Sequence, residues 1–219
     1  MFNALLTVQW KWTRIWVLFA TIIGFAIPMT SARPLMFRES VYRITAGDIV
    51  STMQSAGVVY AVLAGGIGLA VAFLAWNADQ KGRHIYALSL PVSRSRYALM
   101  RFGAGSVFLL IPAAGVLLGC LVAIALAQIP AGMHAYPVTL TLRFLLASFV
   151  AFSIFFGVAA ASQKAAATLL VGIGGFIVLA VIIGAMGVRT DIIGKTLTLI
   201  FAEPGVLSIF TGRWMLIDV

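Results

Sequence analysis

Along this chain, apolar runs without a single charge alternate with short polar connectors. Residues 56–75 and 103–129 contain no Asp, Glu, Lys, Arg or His, and further runs of the same kind fill 15–32, 144–161 and 165–186. A helix needs about 20 apolar residues to cross a hydrocarbon core of roughly 30 Å. Five segments meet or approach that length: 15–32, 56–75, 102–129, 144–161 and 165–186. The runs are continuous, with no alternation of period two, so they predict helices and not barrel strands. The third is long and carries Pro112, which predicts a tilt or a kink.

Composition points to the same class. The chain of 219 residues is 62% hydrophobic and only 10% charged, with a mean hydropathy of +1.09. Soluble domains carry about 25% charged residues, so this chain has too few to cover a water-facing surface. An all-α integral membrane protein with five to six transmembrane helices is expected. The net charge of +9 does not imply nucleic acid, because no basic run is interleaved with the aromatics that stack on single strands. Cys120, the lone cysteine, sits in the middle of an apolar run. It can form neither an internal disulfide nor a metal cluster and reads as a small core residue.

Residues 1–14 precede the first span. Phe2, Leu5, Leu6, Gln9, Trp12 and Trp16 follow three- and four-residue steps, which predicts an amphipathic helix lying on the membrane surface. A rival reading takes Lys11, Arg14 and the apolar stretch up to "TSA" as a secretory signal. The long leading region with Trp10, Trp12 and Trp16 argues for a retained span instead.

Basic residues accumulate in cytoplasmic connectors and set orientation. One side receives Lys11, Arg14, Lys81, Arg83, Arg94, Arg96, Arg101 and Lys164 against Asp79, a net of +7. The other receives seven basic and five acidic residues, a net of +2. The expected amino terminus is cytoplasmic, in a multi-pass membrane protein. Residues 187–219 are apolar in part but broken by Glu203 and Pro204, and read as short amphipathic helices on the outer face.

Catalytic chemistry is sparse. The five segments hold no ionisable residue of the kind that carriers place inside the membrane for proton or ion coupling. His84 and His134 both fall in connectors, and no GxSxG or HExxH occurs. "RTDIIGKT" at 189–196 ends like a phosphate-binding loop, but Arg189 stands where the first glycine belongs and no strand precedes it. The chain is not expected to be an enzyme or to bind a metal or cofactor.

The connector 76–101 carries the most information. Trp76 ends the second span at interfacial depth, and Ile85, Leu88 and Leu90 with Tyr86 follow helical steps. Pro91 ends that short helix, and Ser93 is placed to cap a new one running through Tyr97, Met100 and Phe102 into the third span.

The stretch "DQKGRHIYALSLPVSRSRYALMRF" resembles the membrane subunit of type-2 ATP-binding cassette exporters. In that family a glycine and an apolar stretch lead into "LPVSR", then a tyrosine or aliphatic residue, then the third span. Gly82, Leu88, Leu90, Pro91, Val92, Ser93, Arg94 and Tyr97 match, and Asp79 occupies the place of a common acidic residue. "TVQWKWTR" is similar to the family's Glu-Leu-Lys pattern, with Gln9 in place of the acid. The resemblance covers the order of elements over residues 1–186.

The resemblance implies a division of labour. ATP and magnesium would be bound by a separate cytoplasmic ATPase subunit, and none in this chain. The connector would form a cytoplasmic coupling helix seated in that ATPase. Ile85, Tyr86 and Leu88 would be its buried anchors, Asp79, Arg83 and His84 its polar rim, with Gly82, Pro91 and Arg94 shaping the contact. Arg94, Arg96 and Arg101 serve equally as ATPase contacts or as orientation and anionic-lipid contacts. A second copy or a paralogous permease would complete a dimer. Gly115 and Gly119 mark a possible helix-packing seam, within the chain or between chains. The family has six spans, so either the last follows Val219 or the chain is a variant whose carboxyl terminus faces outward. A non-transporting scaffold or regulatory subunit of an envelope complex is the alternative. Substrate identity is not legible, though uncharged spans suit a lipid-like cargo.

Overall fold

Four of the five uncharged runs fall on longer helices, with 15–32 passing the helix end by one residue and 103–129 by three. The structure, a computed structural model, describes residues 2–36, 46–81, 93–129, 132–161, 167–168, 171–172, 174–175, 206–210 and 214–218. In chain order these include α1 (Phe2–Ser31), α2 (Arg33–Met36), α3 (Ala46–Lys81), α4 (Arg94–Leu126), β1 (His134–Ala135), α5 (Pro137–Ala161), a 3-10 helix (Val206–Phe210) and β2 (Ile217–Asp218). Helices α1, α3, α4 and α5 are each long and apolar enough to cross a membrane. The shortest, α5, has 25 residues and spans about 38 Å at 1.5 Å per residue. The expected fifth run, 165–186, lies outside the described residues except for 167–168, 171–172 and 174–175, which are helical.

Helix α1 is one uninterrupted helix, where the periodicity of residues 1–14 predicts a separate surface helix. The reason is the stripe Leu5, Gln9, Thr13, Val17, Ala20, Gly24 and Ile27, buried from the first turn to the last. Its four- and three-residue steps continue in register, so the leading turns pack along protein. Trp10, for example, meets Phe108 of α4 at 5.5 Å between ring centres. Helices α4 and α5 also begin earlier than the uncharged runs do, which brings Arg101 and Arg143 into them. Ser93 stands in extended geometry at the amino-terminal cap of α4, as expected, but its side chain makes no capping hydrogen bond. Helix α4 continues through Pro112.

The four long helices form a ring. Helix α1 packs most extensively on α4, and α3 on α5, while α1–α3 and α4–α5 contacts close the ring. Glycines set both main seams. A Cβ at Gly115 would lie 2.7 Å from Thr21 Cγ2, and one at Gly119 would lie 2.9 Å from Phe25 Cα. Gly68 of α3 does the same against α5, where a Cβ would sit 2.8 Å from the backbone nitrogen of Phe152. With lipid as apolar as leucine, such close backbone approach supplies the association of the helices.

Gly119→Leu is therefore expected to force α1 and α4 apart at a cost on the order of 3 kcal/mol. A drop of several degrees in the thermal unfolding midpoint in detergent would register it. An unchanged midpoint would mean that this seam does not hold the bundle.

The two ends of the ring are distinct. At the end called distal here, Gln128 of the α4 exit donates its backbone N–H to Leu35 O of α2 at 3.1 Å. Strands β1 and β2 pair antiparallel there, with His134 opposite Asp218 and Ala135 opposite Ile217. Trp214, Met215, Leu216 and Ile217 are buried. The Trp214 ring stacks on Tyr60 at 6.5 Å between centres, and its Cβ would touch a Cβ at Gly57 at 3.0 Å. Arg143 places its guanidinium 5.0 Å over the Trp214 ring and donates from Nε to Ile209 O at 3.2 Å. Residues 206–210 and 214–218 thus close the distal end against α3 and α5.

Candidate functional site

At the opposite, proximal end, the beginning of α1, the end of α3, the beginning of α4 and the end of α5 meet in a cluster of rings. Phe102 contacts Phe149, Phe152 and Phe156 at 5.7, 5.1 and 5.3 Å between centres. Trp76, near the end of α3, meets Phe156 at 5.2 Å. Aromatic pairs in such tilted and edge-on geometries each add about 1 kcal/mol beyond their buried area. The two roots of the connector 82–92 are therefore fastened to each other through α5.

Arg101 is the polar centre of this end. It is only 5% exposed, although it sits less than two turns from the start of α4. Its Nε donates to the Tyr97 hydroxyl at 3.1 Å. Its guanidinium lies 5.2 Å from the centre of the Tyr97 ring and 5.5 Å from that of Trp76. A desolvated cation over a ring face gains up to about 2 kcal/mol, so α3 and α4 are tied by a charge as well as by packing. Arg96, on the other side of the helix, is exposed.

Gln9 of α1 reaches the same region. It is 5% exposed, and among the described residues neither its Oε1 nor its Nε2 has a hydrogen-bond partner. The amide lies across Gly105 of α4, where a Cβ would sit 3.1 Å from Nε2. Gln9 and Arg101 line one small cavity together with Leu5, Val8, Trp12, Leu74 and Ala75. Next to it along the α1–α3 seam runs a half-open groove of about 490 Å³, lined by Trp16, Phe19, Val62, Gly66, Ala70, Phe73 and other apolar side chains. Leu74 belongs to both.

Most of the expected coupling residues fall outside the described residues: Gly82, Arg83, His84, Ile85, Tyr86, Leu88 and Pro91. Asp79 lies in the last turn of α3 and Arg94 opens α4. They flank that connector on its two sides. Gly115 and Gly119 lie between α1 and α4 of the same chain. The burial of Gln9 and Arg101 goes beyond the sequence reading, which took Gln9 as a departure from an acidic pattern and Arg101 as one of three connector arginines. The signal for Gln9 was present as a polar position within the apolar stripe at 5, 9, 13 and 17.

Among the described residues, no three His, Cys, Asp or Glu side chains come together. What the proximal end offers is recognition: one guanidinium, one amide and several ring faces beside an apolar groove. No family model, curated protein or solved structure matches this chain.

Proposed function

We propose that this chain is the membrane permease subunit of an ATP-driven exporter of the type-2 ATP-binding cassette class. It works as a dimer with a second copy or a paralogous permease, and a separate cytoplasmic ATPase seats the connector between α3 and α4. One observation carries this reading. The two roots of that connector are locked together by Trp76, Tyr97 and Arg101 and by the Phe102 ring cluster. A push on the connector would then move α3 and α4 as one body, as energy coupling from outside the bilayer requires. The "LPVSR" motif at 90–94 supplies the class.

The span count and orientation follow. The end of α5 belongs to the proximal cluster through Phe156, while residues 206–210 and 214–218 lie at the distal end. The chain between them joins opposite ends, which supports a crossing by the apolar run 165–186 and hence five spans up to residue 218. The charge balance of +7 against +2 makes the proximal end cytoplasmic, in the inner membrane of a bacterium.

Purification of the chain from its native membrane in mild detergent tests the assignment. A nucleotide-binding ATPase is expected to accompany it in stoichiometric amount. Recovery with an unrelated envelope complex and no ATPase would replace the permease by a scaffold.

A further inference from the structure

We infer that the α1–α3 seam is a binding site for an ester-linked glycerolipid of the proximal leaflet, with an acyl chain in the apolar groove and its ester carbonyl on the Gln9 amide. This is a statement about binding and stands apart from the permease reading.

The groove points to a lipid chain and not to another helix. It lies between α1 and α3, both long and apolar enough to cross a membrane, and no charged residue lines it. Its volume of about 490 Å³ is within the range of small-ligand sites. On α3 its lining runs from Val62 to Leu74, about 18 Å along the axis. The apolar stretch of α3 reaches from Val50 to Asn77, so the groove occupies its proximal half. One leaflet supplies about half of a hydrocarbon core of roughly 30 Å, and an acyl chain fills that depth. A docked helix would run on past Val62, where the groove has ended.

The head of the chain then falls beside Gln9. The groove shares Leu74 with the small cavity that Gln9 lines, and Trp12 of the cavity lies one turn from Trp16 of the groove. Gln9 is 5% exposed, and among the described residues neither atom of its amide has a partner. Such a group costs free energy until something pairs with it. The cavity holds about 10 Å³, the space of about one oxygen-sized atom. Its walls from Leu5, Val8, Trp12, Leu74 and Ala75 suit a neutral oxygen better than an ionised one. The ester carbonyl is such an oxygen. It heads the acyl chain, carries no charge and accepts from the Gln9 Nε2–H. Arg101, the remaining wall, is engaged with Tyr97 and Trp76 and has no part in the selectivity. The headgroup leaves past Val8 and Trp12, which are exposed, so its charge goes unread.

A lone water in the cavity would serve both atoms of the amide, but it would leave the groove unfilled and blind to the lipid linkage. A helix of a second copy would fill the groove and leave the amide unpaired. Three substitutions separate these readings. Gln9→Leu removes the donor. Gly66→Leu fills the groove. Gly157→Leu places the same side chain at an exposed position of α5, outside the groove. A Cβ at either glycine meets nothing within 4 Å, so the fold is left intact.

The experiment offers the full chain in detergent an equal mixture of dioleoyl phosphatidylcholine and its ether-linked dioleyl analogue, which differ only in the ester carbonyls. Retained lipid is counted by native mass spectrometry. The wild type is expected to favour the ester form about fivefold, the worth of one neutral hydrogen bond. Q9L is expected to retain the two forms equally. G66L is expected to release both, while G157L holds lipid as the wild type does. Equal retention of the two forms by wild type would give Gln9 to water and overturn the site, as would an undiminished preference in Q9L. A loss in G157L as large as that in G66L would reduce the groove to ordinary lipid contact and overturn it too. So would a G66L variant that changes self-association while still holding the lipid.

Discussion

Leu88→Asp is expected to abolish stimulation of the partner ATPase by this chain in vesicles. On the proposed reading Leu88 is an anchor of the coupling helix, buried in the ATPase together with Ile85 and Tyr86. Truncating a central apolar anchor of an interface costs on the order of 2 kcal/mol or more. A carboxylate adds the desolvation of an unpaired charge. Association should weaken by at least about 30-fold, enough to separate the subunits at micromolar concentration. Ser89→Ala, one residue along, should leave stimulation near the wild-type level. Full stimulation by L88D, with the protein correctly inserted, would mean that the apolar face of this connector is not the docked one.

Arg101→Ala is expected to destabilise the bundle as strongly as Gly119→Leu does. The substitution removes a cation from two ring faces and takes the Tyr97 hydroxyl's donor away. It also leaves the space of a long stem between α3 and α4. Together these are worth roughly 3 kcal/mol. The thermal unfolding midpoint in detergent should fall by several degrees, and Arg101→Met, which keeps most of the stem, should recover about half of the loss. Replacing a buried charge by an apolar residue is often neutral. An Arg101→Met variant as stable as wild type would therefore mean that the ring faces merely accommodate the guanidinium.

The helices were legible because lipid imposes a simple requirement, a long apolar run without charge, and residues 56–75 and 103–129 meet it without ambiguity. Their ends were not. A charge counts against a span in a hydropathy reading, but Arg101 lies against Trp76 and Tyr97 and Arg143 against Trp214. Both helices therefore start well before the uncharged run. The leading turns of α1 illustrate a second limit. A stripe at three- and four-residue steps has the same period whether it faces a membrane plane or a neighbouring helix, and only the partner, here α4, distinguishes them.

The distal seal was illegible for a different reason. A pairing of two residues, His134–Ala135 with Ile217–Asp218, has no period to detect, and the stacking of Trp214 on Tyr60 joins positions far apart in the chain. The candidate site divides in the same way. The connector motif at 82–94 was readable as a pattern, whereas the cavity of Gln9 and Arg101 depends on α1 lying beside α3 and α4, which no local pattern encodes. Gly115 and Gly119 stand between these cases. Their spacing announced close packing, and α1 is the helix they meet.

On the proposed reading a separate ATPase drives this membrane chain. The most direct test measures ATP hydrolysis by the co-purified nucleotide-binding subunit in vesicles, with and without this chain. Hydrolysis is expected to rise several-fold when the wild-type chain is present and to return to the basal rate with L88D. Hydrolysis indifferent to the chain, with both proteins folded and reconstituted together, would contradict it.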